Sequence, residues 1–509
     1  MRKLQMLVVA AVLVAYPVGA SDRRRPNIVF LLADDLGYGD VGFCPHPATN
    51  VLARLRTQHI DSLARSGVVL TSHYAAAPVS APSRASILTG RVQGECSLRD
   101  NCFDRAFSET NTLATVLRGA GYVTWAVGKW GVAGGGESGE PVTSHPLDRG
   151  FDYFYGFLDH LAGHTYYHYK GHLRGAYMGV TENRADATDG AVGVYSTDLY
   201  VAKAKDLIRR HVAVGKDAPF FLYLAVNTVH GSGRGDATLL EKTPLHVPGR
   251  PYPAEGLAWP LAPEPPEKRN TWIDPSCRAM PPAAARYATA IRRIDDGVGD
   301  LLRLLDELGI ADDTLFVFTS DNGPADEYGA DPRVFGSAGA FDGLKRDVFE
   351  GGLRVPTAVR WPARIAPGLV DAEPSQAHDW MATLAAAAGV AAPAVCDGVS
   401  LLPRWGAASA GTAARPSLVY SQYNFPWAGA SAAYREFAAR KAPVRGLQQM
   451  VRVGRYVALR TRIGEAGGGR LRLFDVVADP FEERDLASSP AYAARVEEMK
   501  ALLDSRLKP

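Results

Sequence analysis

The stretch Ile28-Val29-Phe30-Leu31-Leu32-Ala33-Asp34-Asp35 places an unbroken apolar run directly before two carboxylates. A run with no polar residue at alternate positions predicts a strand buried on both faces, as the inner strands of a parallel sheet are. Three further segments repeat the arrangement. Tyr122 to Val127 reads as a strand leading into Gly128 and Lys129, Phe220 to Val226 as one leading to His230, and Thr314 to Thr319 as one ending in Ser320-Asp321-Asn322-Gly323. Helical patterns lie between them: Thr112 to Leu117, stopped by Gly119 and Gly121; a helix from near Ser196 with Tyr200, Ala204, Leu207, Ile208 and His211 on one stripe; and Tyr287 to Leu305, whose Ile291, Ile294, Val298 and Leu301 recur at helical spacing up to Gly309. The alternation predicts an α/β fold with a large, mostly parallel sheet flanked by helices. In such open sheets ligands bind beyond the carboxyl ends of the strands. A polar residue after one strand is ordinarily a turn former or a cap, but four such exits, from Asp34 to Asn322, predict one composite site.

The chain has 509 residues, 47% hydrophobic and 22% charged, a globular composition that excludes a disordered, collagenous or coiled-coil protein. A formal net charge of +2 is too small to draw a polyanion, so no nucleic-acid partner is expected. Arg2 and Lys3 precede an apolar run from Leu4 to Val18, and the small residues up to Ala20 predict a signal peptide over residues 1–20 with cleavage before Ser21. The mature chain is therefore expected to be exported, periplasmic or secreted. No later segment is apolar for long enough to predict stable membrane insertion. The five cysteines are too few for a disulfide scaffold; Cys96 and Cys102 are close enough for one local bridge.

Ser80-Ala81-Pro82-Ser83-Arg84-Ala85-Ser86-Ile87-Leu88-Thr89-Gly90-Arg91 reads locally as a short helix capped by Ser80, with Pro82 in its first turn and Gly90 at its end. Ser80 then lies at a helix N-terminus, where free N–H groups and the positive dipole end favour an anion, with Arg84 one turn on.

This segment resembles the sulfatase signature: cysteine or serine, then x-P-S-R and, three residues later, L-T-G-R. The resemblance extends through most of the mature chain. Pro26 to Asp35 is similar to the family's opening N-I-V-x-x-x-x-D-D, Phe349 to Pro356 to its F/Y-E-G-G-x-R-V-P element, and Leu473 to Leu486 to its closing L-(Y/F)-D-x-x-x-D-P-x-E-x-x-(N/D)-L. It implies an alkaline-phosphatase-like catalytic domain, expected over residues 21–405, and a small antiparallel α+β subdomain, expected over 416–509. It implies hydrolysis of sulfate esters on a carbohydrate, with aryl sulfates as artificial substrates. Ser80 matches the residue that is oxidised to formylglycine (3-oxoalanine), whose hydrated aldehyde attacks sulfur and later ejects sulfate. A serine here implies a radical-type serine-oxidising maturation enzyme and a bacterial source. Asp34, Asp35, Asp321 and Asn322 resemble the metal ligands, with the modified Ser80 beside the ion; all are oxygen donors, which suits calcium better than magnesium. Lys129 and Lys345 resemble the lysines that hold sulfate oxygens, Arg84 the arginine that steadies the diol, and His230 the histidine at the leaving oxygen.

One position departs from the family. Many members read G-K-W-H-L-G where this chain has Gly128-Lys129-Trp130-Gly131-Val132-Ala133. A subset of bacterial carbohydrate sulfatases reads G-K-W-G, and Phe151 to Tyr167 is similar to theirs; His164 in that stretch either replaces the absent histidine, contacts substrate, or is simply hydrogen-bonded in an aromatic loop. Two further readings stay open: a phosphate or phosphonate ester hydrolase using unmodified Ser80, and a catalytically silent sugar-binding relative, motivated by Gly131. The proline-rich region from Gly231 to Pro282 is too long for a simple connection and is expected to overhang the site, with Tyr252, Trp259 and Trp272 either stacking on sugar or anchoring the loop. Met450 to Arg460 and Leu471 to Val476 read as short strands and Pro490 to Leu507 as a closing helix.

Overall fold

The computed structural model describes residues 25–507 apart from 46–54, 102–106, 135–142, 174, 216, 233–244, 327–330, 409–412 and 426–444. The expected signal peptide and Cys102 lie outside the described residues. One sheet carries the site. In chain order its strands are β1 (Asn27–Ala33), β2 (Val68–Leu70), β3 (Val123–Lys129), β4 (Tyr153–Phe157), β5 (Thr181–Glu182), β6 (Ala185–Asp186), β7 (Phe220–Ala225), β8 (Thr314–Ser320), β9 (Ala358–Arg360) and β10 (Leu369–Asp371), and they lie side by side as β10-β2-β9-β8-β1-β7-β3-β4-β5-β6. The five middle strands, β8-β1-β7-β3-β4, are all parallel. Antiparallel pairs appear only towards the flanks, where β9 runs against β8 and β2, and β5 against β4.

The period of two along β1 shows why its sequence is apolar throughout. Ile28, Phe30 and Leu32 enter one core with α1 (Ser80–Thr89), α2 (Leu113–Gly119) and, past the third and fourth helices, α5 (Asp379–Ala387). Val29, Leu31 and Ala33 enter the other with α3 (Ser196–Ala213) and α4 (Pro282–Glu307). Each face is therefore closed by helices, and neither can carry a polar side chain cheaply.

A second sheet of β11 (Val419–Phe425), β12 (Gly446–Val453), β13 (Tyr456–Arg460) and β14 (Arg472–Asp475) is antiparallel throughout, with α6 (Ala493–Arg506) packed over it through Met499 and Leu503. Its other face reaches the large unit: Tyr423, Phe425, Met450 and Phe474 pack with Tyr74, Val79, Phe349 and Leu353. Val79 immediately precedes Ser80, so the small sheet buttresses the segment that presents it.

Two local expectations change. Ser80 does not cap α1; Val79 is the extended residue at the cap, and Ser80 is the first helical residue with its hydroxyl turned to the sheet edge. Cys96 is a buried free thiol against Ser86 and Thr89 rather than half of a local bridge, because its side chain packs inward on α1.

One buried carboxyl gives a stability prediction. Asp295, on α4, accepts from the backbone N–H groups of His59 at 2.9 Å and Ile60 at 2.8 Å through one oxygen. Burial, reinforced by the charge of Asp296, pushes its pKa up to about 7. A folded-state value raised above the unfolded one means that the native state holds the proton longer, so stability falls as pH rises from about 4 through 7. Asp295→Asn keeps the acceptor oxygen and removes the charge. It is expected to gain on the parent by about 1–3 kcal/mol between pH 5 and pH 8 in urea titrations; an identical pH slope for both proteins contradicts this.

Candidate active site

Every exit read from the sequence opens onto the same edge of the sheet. Asp34 and Asp35 follow β1, Lys129 ends β3, His230 lies in the loop after β7, and Asp321 and Asn322 follow β8. Asp35 adopts φ 61, a left-handed backbone unusual for a non-glycine residue. The two adjacent carboxylates accordingly serve different partners. Asp34 Oδ2 takes the Lys129 ammonium at 2.5 Å and its Oδ1 accepts from Ser80 Oγ at 3.1 Å. Asp35 Oδ2 takes Lys345 Nζ at 2.7 Å, and its Oδ1 accepts from Asn322 Nδ2 at 2.8 Å. With its amide so used, Asn322 turns Oδ1 to Ser80 Oγ at 3.3 Å.

Arg84, one turn along α1 from Ser80, places Nε and Nη2 on the same Asp321 oxygen at 3.0 and 2.8 Å. Ser80, Arg84, Lys129, Lys345, His164, His230 and the four candidate metal ligands are all buried. Charge is balanced by proximity. Burial alone would raise Asp34, but the Lys129 ammonium and the Arg84 guanidinium outweigh it and hold that carboxyl below its ordinary value. Burial and the neighbouring charge of Asp34 raise Asp321 in spite of Arg84. Burial lowers Lys129 more than Asp34 restores it.

The oxygens fit a calcium ion. Asp34, Asp35, Asp321 and Asn322 offer buried oxygen donors around Ser80, the hard donor set that calcium takes, and a divalent cation there would offset the closeness of the carboxylates.

His230 lies with Nε2 3.9 Å from Asp35 Oδ2. Burial, then Lys345 and Lys129, push it well below the usual histidine range, so it is neutral at pH 7. His164, in the 3-10 turn Leu161–His164, engages the Gly231 carbonyl through Nδ1 at 2.7 Å and stands 4.5 Å, ring to ring, from His230. The sequence reading missed His160, whose ring is 5.2 Å from His164 and 5.5 Å from His230. Its one signal is the spacing of four from His164. Gly131 has φ +74, and a Cβ there would lie 3.2 Å from Lys129 Cε, so a side chain at this position crowds the lysine.

The aromatic candidates of the proline-rich region are held in packing and hydrogen-bond contacts. Tyr252 donates to Asp300 Oδ2 at 2.9 Å beneath Arg293, and Trp259 carries Lys203 Nζ 4.1 Å from its ring. Trp272 lies 6.0 Å from the Arg293 guanidinium and is tied through its backbone N–H to Pro248 O at 2.9 Å.

Residues 26–390 match the Sulfatase family model, and residues 336–457 match the model for the C-terminal part of N-sulphoglucosamine sulphohydrolase. Steryl-sulfatase of Mus musculus is 33% identical over 460 residues, covering 79% of this chain and 69% of that protein. N-acetylgalactosamine-6-sulfatase of Canis lupus familiaris is 31% identical over 415 residues, covering 77% of this chain and 68% of that one. Among solved structures, Ps i-CgsB in complex with k-i-k-neocarrahexaose superposes with a TM-score of 0.68 at 25% identity, covering 94% of this chain and 92% of its own. The parallel sheet with its cationic, carboxylate-lined edge, taken with these likenesses, defines a sulfuric ester hydrolase. The chain belongs to the sulfatase family.

Proposed function

We propose that this sulfatase removes sulfate from a sulfated carbohydrate, with Ser80 matured to formylglycine as nucleophile and calcium held by Asp34, Asp35, Asp321 and Asn322. The carrying observation is the placement of Ser80 Oγ, 3.1 Å from Asp34 Oδ1 and 3.3 Å from Asn322 Oδ1, at the first residue of α1 and among three buried cations. When bound, calcium supplies a positive centre that polarises the nucleophile and a sulfate oxygen. The side chains do the rest. Lys129 and Lys345 bind the sulfuryl oxygens and offset the charge that grows on them. Arg84 fixes Asp321 and so the height of the nucleophile above the sheet. His230, neutral in the free protein, gains basicity when an anionic ester enters, takes up a proton from solvent water with the substrate, and then delivers that proton to the leaving oxygen. His164 faces the same side and contacts substrate. Support for a sugar comes from N-acetylgalactosamine-6-sulfatase among the relatives and from the oligosaccharide bound to Ps i-CgsB.

The partners of this reading are the sulfated saccharide and a radical-type serine-oxidising enzyme, and the working location is outside the cytoplasm, periplasmic or secreted. Among the described residues no helix is long and apolar enough to cross a membrane. The test is release of inorganic sulfate and phosphate from a panel of sulfated and phosphorylated saccharides and aryl esters. Sulfate release is expected from protein co-expressed with the maturation enzyme. Phosphate release from unmodified protein, without sulfate release, contradicts the proposal and moves the chain to phosphate or phosphonate ester hydrolysis; sugar binding by fully matured protein with no turnover contradicts it in favour of a silent relative.

A further inference from the structure

His160, His164 and His230 make a cluster that sulfate transfer does not require in full. Each offers one ring nitrogen, and the three nitrogens lie within 4.8 Å of one another. Two come from the single turn that crosses the end of β4, and the third from the loop after β7. Convergent imidazoles are the donors that zinc and similar borderline cations take, whereas calcium takes oxygen. The two kinds of donor meet in one cleft: the oxygens lie around Ser80, and His230, with Nε2 3.9 Å from Asp35 Oδ2, stands between them and the other two imidazoles.

Two details mark the cluster as oriented. His164 Nδ1 is engaged with the Gly231 carbonyl at 2.7 Å, the outer hydrogen bond that commonly fixes the tautomer of a metal-binding histidine and turns Nε2 into the ligand. His230 is 1% exposed, directs Nε2 towards Asp35, and leaves Nδ1 with no hydrogen-bond partner among the described residues. A buried nitrogen without a partner is costly, and a metal bond relieves that cost. The nearby ammonium groups do not stand uncompensated, since Lys129 is paired with Asp34 at 2.5 Å and Lys345 with Asp35 at 2.7 Å.

The geometry points to a second cation site in this protein, a three-histidine site for zinc formed by His160, His164 and His230 and distinct from the oxygen-lined centre. Three protein ligands leave one coordination position for water or an anion. On the functional reading above, a zinc ion there occupies the leaving-group side of the cleft and inhibits turnover reversibly.

The experiment uses full-length mature protein, free of any polyhistidine tag and saturated with calcium, titrated with zinc alone by calorimetry and with cobalt alone by visible absorption. Expected are one zinc-binding event that excess calcium does not displace and a cobalt spectrum of four-coordinate intensity. In His160→Phe, which keeps an aromatic ring against its two neighbours, zinc affinity is expected to fall by about tenfold or more. His164→Gln is the second variant should the first not fold, and it is expected to lose binding likewise. A parent protein that takes up no zinc, zinc that calcium displaces, or unchanged affinity in a folded variant overturns the proposal. Binding is read without substrate, so a failure here is distinct from a failure of sulfate release.

Discussion

Ser80→Ala is expected to reduce sulfate release by at least about 10⁴-fold, as loss of a covalent nucleophile does, while leaving a folded protein. The hydroxyl gives hydrogen bonds to Asp34 and Asn322 and otherwise supports no packing contact that alanine cannot make. Stability should therefore change by about 1 kcal/mol. Because Asp34, Asp35, Asp321 and Asn322 all remain, calcium should still raise the melting temperature of the variant. Sulfate release by Ser80→Ala at the parental rate contradicts the assigned mechanism, and loss of the calcium response would place Ser80 among the structural supports of the metal centre instead. Both are read from purified protein by ion chromatography and a thermal melt.

Arg84→Ala is expected to be the most destabilising single change at the site. The guanidinium is fully buried and meets Asp321 through two nitrogens, with Asp34 Oδ1 at 3.6 Å. Burial would lower the pKa of such a group, but those two carboxylates hold it above its ordinary value, so the residue is charged throughout. Its removal strands a buried carboxylate, which costs about 3–5 kcal/mol in comparable pairs. Turnover should fall with it, since Asp321 then lacks the partner that sets its position. Arg84→Lys restores the charge without the second nitrogen and should recover stability only in part. Urea midpoints for the three proteins decide this; a midpoint for Arg84→Ala within error of the parent contradicts it.

The fold was readable where strands are long and covered on both faces. β1, β7 and β8 are continuous apolar runs because helices close each side, and their exits are polar because the chain there leaves the core at the ligand-binding edge. The flanking strands are a different matter. β2, β9 and β10 each span three residues, below the length at which period two can be seen, and nothing local to β9 announces that it runs against both neighbours. β11 was overlooked because Ser421, Gln422 and Asn424 interrupt its apolar pattern; Ser421 and Gln422 are nonetheless buried, the Gln422 N–H donating to Gln93 Oε1 at 2.8 Å. Residues on strand ends could thus be gathered from pattern alone, whereas Lys345, in an irregular loop, was placed only by resemblance to the family. His160 had only its spacing of four from His164 to mark it, and His230 comes close to both through tertiary packing that no spacing encodes.

The central claim is that formylglycine made from Ser80 carries sulfate ester hydrolysis. Its most direct test is a set of preparations of this protein with graded conversion of Ser80, obtained by varying co-expression of a radical-type serine-oxidising enzyme. In each, the mass of the Ser80 peptide and its capture by a hydrazide give the aldehyde content, and sulfate release from a responsive sulfated substrate gives the rate. The account predicts a rate proportional to aldehyde content and an intercept near zero. Equal sulfate release from preparations with and without the aldehyde would contradict it.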